Sequence, residues 1–179
     1  MKRSLVAFIF IYACAAWAGQ PALSPPKPNP ELKKQDFFVG NWTLTGETKS
    51  SPFGPGGEKF QSTESLEWMP GGFFLVARSY SGGKWVELTV IGYDPNENVF
   101  THTSFSGSGK TEIWKGTAGD NTWIWTKKET VGGKPVTQRM TITKISPASY
   151  SFKVEMEPEG GSWSTVSEGS GIKTSGDSK

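Results

Sequence analysis

Cysteine and histidine are almost absent from this chain, which has one of each in 179 residues. Cys14 lies in an apolar leader, so the rest of the protein has no thiol to oxidise or to ligate a metal. With His102 as the one histidine, a metal site would need a cluster of carboxylates, and the sequence offers none. No cofactor motif is present either. A basic excess is also lacking: 19 Lys and Arg stand against 17 Asp and Glu. A nucleic-acid binder needs such an excess gathered on one face, so that class is disfavoured. Long apolar runs are missing as well. The run in the leader, Leu5 to Ala13, has 9 residues, whereas a membrane-spanning helix needs about 20.

That short run has a different reading. Lys2 and Arg3 precede it, and Ala16-Trp17-Ala18 follows as a small-x-small site. Residues 1–18 are therefore expected to be a signal peptide and the protein to be exported, periplasmic or extracellular. Ile11-Tyr12-Ala13-Cys14 also resembles a bacterial lipobox, with Tyr12 bulkier than such boxes usually carry. Lipidation of Cys14 would tether the domain to a membrane. Residues 19–30 contain five prolines. Proline fixes φ and lacks an amide donor, so this stretch is an extended linker. Residues 31–168 form the expected domain, and the polar, glycine-rich residues 169–179 are expected to be a flexible tail.

The domain opens on Asn29-Pro30, an N-cap followed by a proline suited to the first helical position. The short helix this predicts runs to Gly40 and places Leu32, Gln35, Asp36 and Val39 on related faces. From Trp42 onward the apolar period is two. About ten alternating segments follow at a spacing of 10 to 14 residues, separated by turns such as Met69-Pro70-Gly71-Gly72 and Asp94-Pro95-Asn96. The clearest is Tyr150, Phe152, Val154 and Met156. Regular short strands joined by hairpin turns read as all-β. Sequential hairpins favour an up-and-down antiparallel barrel of about ten strands, which leaves no sheet edge exposed. The helix would cap one end of it.

Several motifs occur in a telling order. Gly40-x-Trp42 opens the first strand, as in lipocalins and other calycins. Gly92-Tyr93-Asp94-Pro95, Gly133-Lys134-Pro135-Val136 with Arg139, Tyr150-x-Phe152 and Gly161-x-Trp163 follow. Over about residues 32 to 168 the chain resembles DUF1579, a family of uncharacterised bacterial secreted proteins. The resemblance implies a calycin-like, lipocalin-like barrel and no established activity. Its signature residues here are Gly40, Trp42, Tyr93, Asp94 and Arg139. Lipocalins often stack a late cation on the first-strand tryptophan. No arginine follows Arg139, which leaves Arg139, Lys173 or no residue as the partner of Trp42. Nitrobindin-like barrels bind haem through a late histidine; His102 is mid-chain, so haem is not implied.

Two other motifs fail on inspection. Gly107-Ser108-Gly109-Lys110-Thr111 ends like a phosphate-binding loop, but Ser104 stands where the leading glycine belongs and no helix follows. Asp94-x-Asn96-x-Asn98 starts like a calcium loop, but Val99 and Phe105 occupy the positions of its glycine and bidentate acid. No nucleophile, base and orienting acid occur at a diagnostic spacing, so no catalytic residue is assigned.

What remains is the barrel interior. Glu64 alternates with Phe60, Leu66 and Trp68, and Arg78 with Val76 and Tyr80. A charge pointing inward must meet a partner or a ligand. Trp68, Trp85 and Trp114 are candidate pocket aromatics, and His102 is the group that titrates nearest neutrality. The expectation is a small apolar or amphipathic ligand held by Glu64, Arg78 or His102 among these tryptophans. The alternatives are an enzyme pairing His102 with a carboxylate, and a filled barrel with a structural or interaction role. The oligomeric state is open.

Overall fold

The computed structural model describes residues 26–174. The expected signal peptide, Cys14 and most of the proline-rich linker lie outside the described residues. Residues 26–29 have no regular structure, and Pro30–Phe38 form a 3-10 helix. The side chain of its cap, Asn29, accepts a bond from the Glu31 amide at 2.9 Å. A 3-10 turn holds three residues, so residues three apart lie in one row. Leu32, Gln35 and Phe38 are that row, and all three are buried.

Ten strands follow: β1 (Gly40–Thr48), β2 (Lys59–Trp68), β3 (Leu75–Ser81), β4 (Lys84–Asp94), β5 (Val99–Ser106), β6 (Thr111–Ala118), β7 (Thr122–Val131), β8 (Lys134–Ser146), β9 (Ser149–Pro158) and β10 (Ser164–Thr174). Each pairs antiparallel with its neighbours in sequence, and β10 pairs with β1 to close the barrel. The all-β, ten-stranded up-and-down architecture expected from the alternation is the one observed. Gly40, at φ +119°, makes the corner between helix and β1, a backbone conformation that side chains resist.

The expected loose tail from residue 169 needs correction. Gly169–Thr174 belong to β10 and pair with Asn41–Gly46. Their polar, glycine-rich composition reflects a packing need rather than disorder. The rings of Tyr150 and Phe152 lie where side chains at Gly171 and Gly169 would stand. Small residues thus let large rings fill the barrel beside the closing seam. Residues 175–179 lie outside the described residues.

Candidate functional site

The 3-10 helix closes the end of the barrel where β1 begins and β10 ends. Trp42 is 1% exposed there, and its indole N–H donates to the Phe38 carbonyl at 2.7 Å. Phe37 stacks on Trp123 at 5.4 Å, and Tyr150 lies 5.0 Å from Trp42. The Lys173 ammonium sits 5.4 Å from the Trp42 ring, so Lys173 is the late cation. Arg139 is elsewhere: it lies 4.1 Å over Trp163 and makes two bonds to Glu155, at 3.0 and 2.8 Å. Tyr93 packs on Phe100 at 5.1 Å, and Asp94 accepts the Asn96 amide at 2.8 Å to hold the turn.

Beyond this plug the barrel holds a partly open cavity of about 330 Å³. Leu44, Phe60, Leu66, Ile91, Trp114, Trp125, Met140, Ile142 and Phe152 form much of its apolar wall. Gln35 enters from the helix; it is fully buried, and neither its amide oxygen nor its nitrogen has a partner.

A polar belt crosses the wall from β2 to β7. The Ser79 hydroxyl donates to Glu64 at 3.1 Å. Glu87 accepts from the Thr89 hydroxyl at 3.3 Å, and Ser104 lies on the same stretch of wall. Glu112 pairs with Lys127 at 2.9 Å, and Lys127 also reaches Glu129 at 3.3 Å while lying 4.7 Å over Trp114. Burial raises the pKa of Glu64, helped by the nearby Glu87 charge. Burial likewise raises Glu87. For Glu112 burial is opposed and outweighed by hydrogen bonds from Lys110 and Lys127, which hold its pKa low. Glu64 and His102 keep some accessible surface, but the protein encloses both, and that surface faces the cavity.

His102 lies 5.2 Å from the Trp125 ring, and its Nδ1 is buried without a partner. Burial lowers its pKa from 6.5 to about 4. The unfolded chain therefore takes up the proton first, and His102 contributes stability above pH 6.5 that is lost as pH falls toward 4. A His102→Gln variant should escape that loss. Between about pH 7 and about pH 4.5, urea unfolding should show the wild type losing about 2 to 3 kcal/mol relative to the variant. Equal pH dependence in the two proteins would mean that the ring is solvated.

The interior thus gathers Glu64, His102 and Trp114 from the sequence candidates. Arg78 is not among them: it points outward and pairs with Glu67 at 2.6 Å. Its strand starts apolar on both faces, which hid the parity; Ala77 and Ser79 are the inward residues. Trp85 is also outside, 47% exposed at the open rim. Trp68 lines no cavity; its indole N–H donates to Asp36 at 2.9 Å and latches the plug. Sequence reading missed Gln35, Glu87, Glu112 and Trp125 as members of one wall, and Lys127 as the partner of Glu112 behind it. The strand registers place them there, and the helix row of threes was the available signal for Gln35.

Comparison with known proteins adds the family and the fold. None of the curated proteins matches the chain. The crystal structure of Rv2717c from M. tuberculosis is similar, with a TM-score of 0.54 at 13% identity, over 83% of this chain and 99% of that one. At that identity the likeness concerns the fold alone. A protein with unknown function of the DUF3598 family from Nostoc punctiforme matches more loosely, with a TM-score of 0.45 at 11% identity, over 88% of this chain and 53% of that one. The model of the family described as "Protein of unknown function (DUF1579)" matches residues 27–171, most of the length and every strand of the barrel, and the chain belongs to that family.

Proposed function

We propose that this barrel binds one small, mostly apolar molecule in its interior. The observation that carries the reading is the barrel cavity of about 330 Å³ with unpartnered polar atoms of Gln35 and His102 on its wall. Buried polar groups in native proteins are nearly always bonded, so orphans on a cavity wall point to an occupant. The volume falls at the lower end of the roughly 300–1,000 Å³ of small-molecule sites. Apolar walls supply the binding drive, and a few polar groups set orientation. This reading is preferred to an enzyme using His102, because no carboxylate among the described residues orients that ring. A filled structural barrel fits poorly with so open an interior. Export, proposed from residues 1–18, would make the protein a carrier or scavenger outside the cytoplasm.

An uncharged polarity-sensitive dye such as N-phenyl-1-naphthylamine tests the reading. It should enter the cavity, brighten, and quench tryptophan emission. Ala77 is buried and lines the cavity. Ala77→Leu should fill space and weaken dye binding about tenfold, with the circular dichroism unchanged. Undiminished binding in that variant would place the dye outside the barrel and reject the reading.

A further inference from the structure

The chemistry of the polar belt narrows the ligand class, on the premise that the cavity binds a ligand at all. Glu64 is an enclosed carboxyl and Glu87 a half-buried one, and their partners are hydroxyls: Ser79 for one, Thr89 for the other. No ion pair reaches either among the described residues. Lys127, the ammonium nearest the belt, is only 7% exposed and already shared between Glu112 and Glu129. Both arginines of the described residues, Arg78 and Arg139, lie on the outer face in ion pairs of their own. Among the described residues the interior therefore has carboxyls to spare and no free cation to meet an acid. An anionic headgroup would be set beside Glu64 and Glu87 with nothing to neutralise it.

A cation finds the reverse. An uncompensated buried charge is costly, and a buried carboxylate stabilises an ammonium brought into contact with it. His102, kept neutral by burial, and Gln35 add unpartnered groups that can accept N–H bonds. Trp125 lines the same space, as does Trp114, which already carries Lys127 on its ring, and aromatic rings attract cations. We propose that the ligand is an organic amine, an ammonium group on an apolar body, held with its charge against Glu64 and Glu87.

The proposal includes a proton balance. Burial favours the protonated carboxyl of Glu64 in the empty barrel. An arriving ammonium needs the carboxylate, so the carboxyl O–H bond breaks and its proton passes to solvent. The titratable groups facing Glu64 are Glu87 on β4 and Tyr150 on β9. Glu112 and Lys127 couple to Glu87 next along the belt. Tyr150 stays protonated, its pKa pushed up by burial and by Glu64. Glu64 is thus the group that releases the proton.

A matched series tests this: phenylbutylamine, phenylbutanol and phenylbutyrate, titrated into the protein by calorimetry in buffers of differing ionisation enthalpy. The amine should bind at least about tenfold more tightly than the other two, a factor that one charge-assisted bond supplies. Its heat should vary with buffer, reporting proton release. Glu64→Gln, nearly the same shape, should abolish the amine preference and the proton release while leaving phenylbutanol bound. Glu87→Gln should lower the preference by a smaller factor. Equal or tighter binding of phenylbutanol or phenylbutyrate would overturn the amine assignment and leave the cavity reading intact. Binding of none of the three, with no displacement of dye, would sink both.

Discussion

Trp42→Ala should destabilise the fold by about 3 to 5 kcal/mol, the range for removing a buried tryptophan or phenylalanine. Small domains have only about 5–15 kcal/mol in total, so the variant should be partly unfolded at modest temperature. Three losses converge on this residue. The ring is 1% exposed and packs on Phe37 and Tyr150 at 5.3 and 5.0 Å. Its N–H is the partner of the Phe38 carbonyl at the end of the 3-10 helix. Its face carries the Lys173 ammonium. Truncation opens a cavity, orphans a carbonyl and frees a lysine on the last strand.

Trp42→Phe separates these losses. It keeps a ring for Lys173 and most of the packing but cannot donate to Phe38. Its expected cost is about 1 to 2 kcal/mol, from the unpaired carbonyl and the smaller ring. Urea unfolding gives both values, and amide exchange over residues 30–38 reports whether the plug loosens first. A loss below about 1 kcal/mol for the alanine variant would mean that Phe37, Phe38 and Tyr150 hold the plug without it.

The strands were legible because a half-buried strand repeats every two residues. Tyr150, Phe152 and Val154 read as one face, and that face points inward. Glu64 was readable as inward for the same reason, since Phe60 and Leu66 flank it at even spacing. Arg78 was not readable, because Leu75, Val76 and Ala77 are buried alike and leave no parity. The pairing of Ser65 and Leu88 with Arg78 supplies what its own strand lacks. Gln35 escaped for a different reason. Polar side chains are rarely expected at zero exposure, and the row it shares with Leu32 and Phe38 shows only at a helical period of three. Glu87, Ser104 and Glu112 lie on three successive strands and form one belt only after two hairpins set the registers. The final strand was obscured by composition: a run of Ser and Gly looks like a tail unless the rings that need its space are known.

Gly169→Ala is the second substitution with a large expected cost, about 3 kcal/mol or more, the upper end of overpacking losses. A Cβ built there stands 2.2 Å from the Thr45 carbonyl oxygen, 2.6 Å from the Phe152 ring and 2.7 Å from the Gly46 Cα. Two of those three obstacles are main chain, so no rotamer change relieves them. Gly169 pairs directly with Gly46 across the seam between β10 and β1. To admit a methyl group the strands must part at the ladder that closes the barrel, and parted strands expose edges that pair with other molecules. The variant should therefore unfold at lower urea and also elute as larger species on gel filtration. Gly54→Ala is the control, with nothing within 4 Å of its Cβ and an expected change within about 0.5 kcal/mol. Phe152→Leu added to Gly169→Ala removes the ring contact but leaves the Thr45 oxygen in place, so it should not rescue. Rescue by that second change would show that the ring, not the strand seam, sets the demand for glycine.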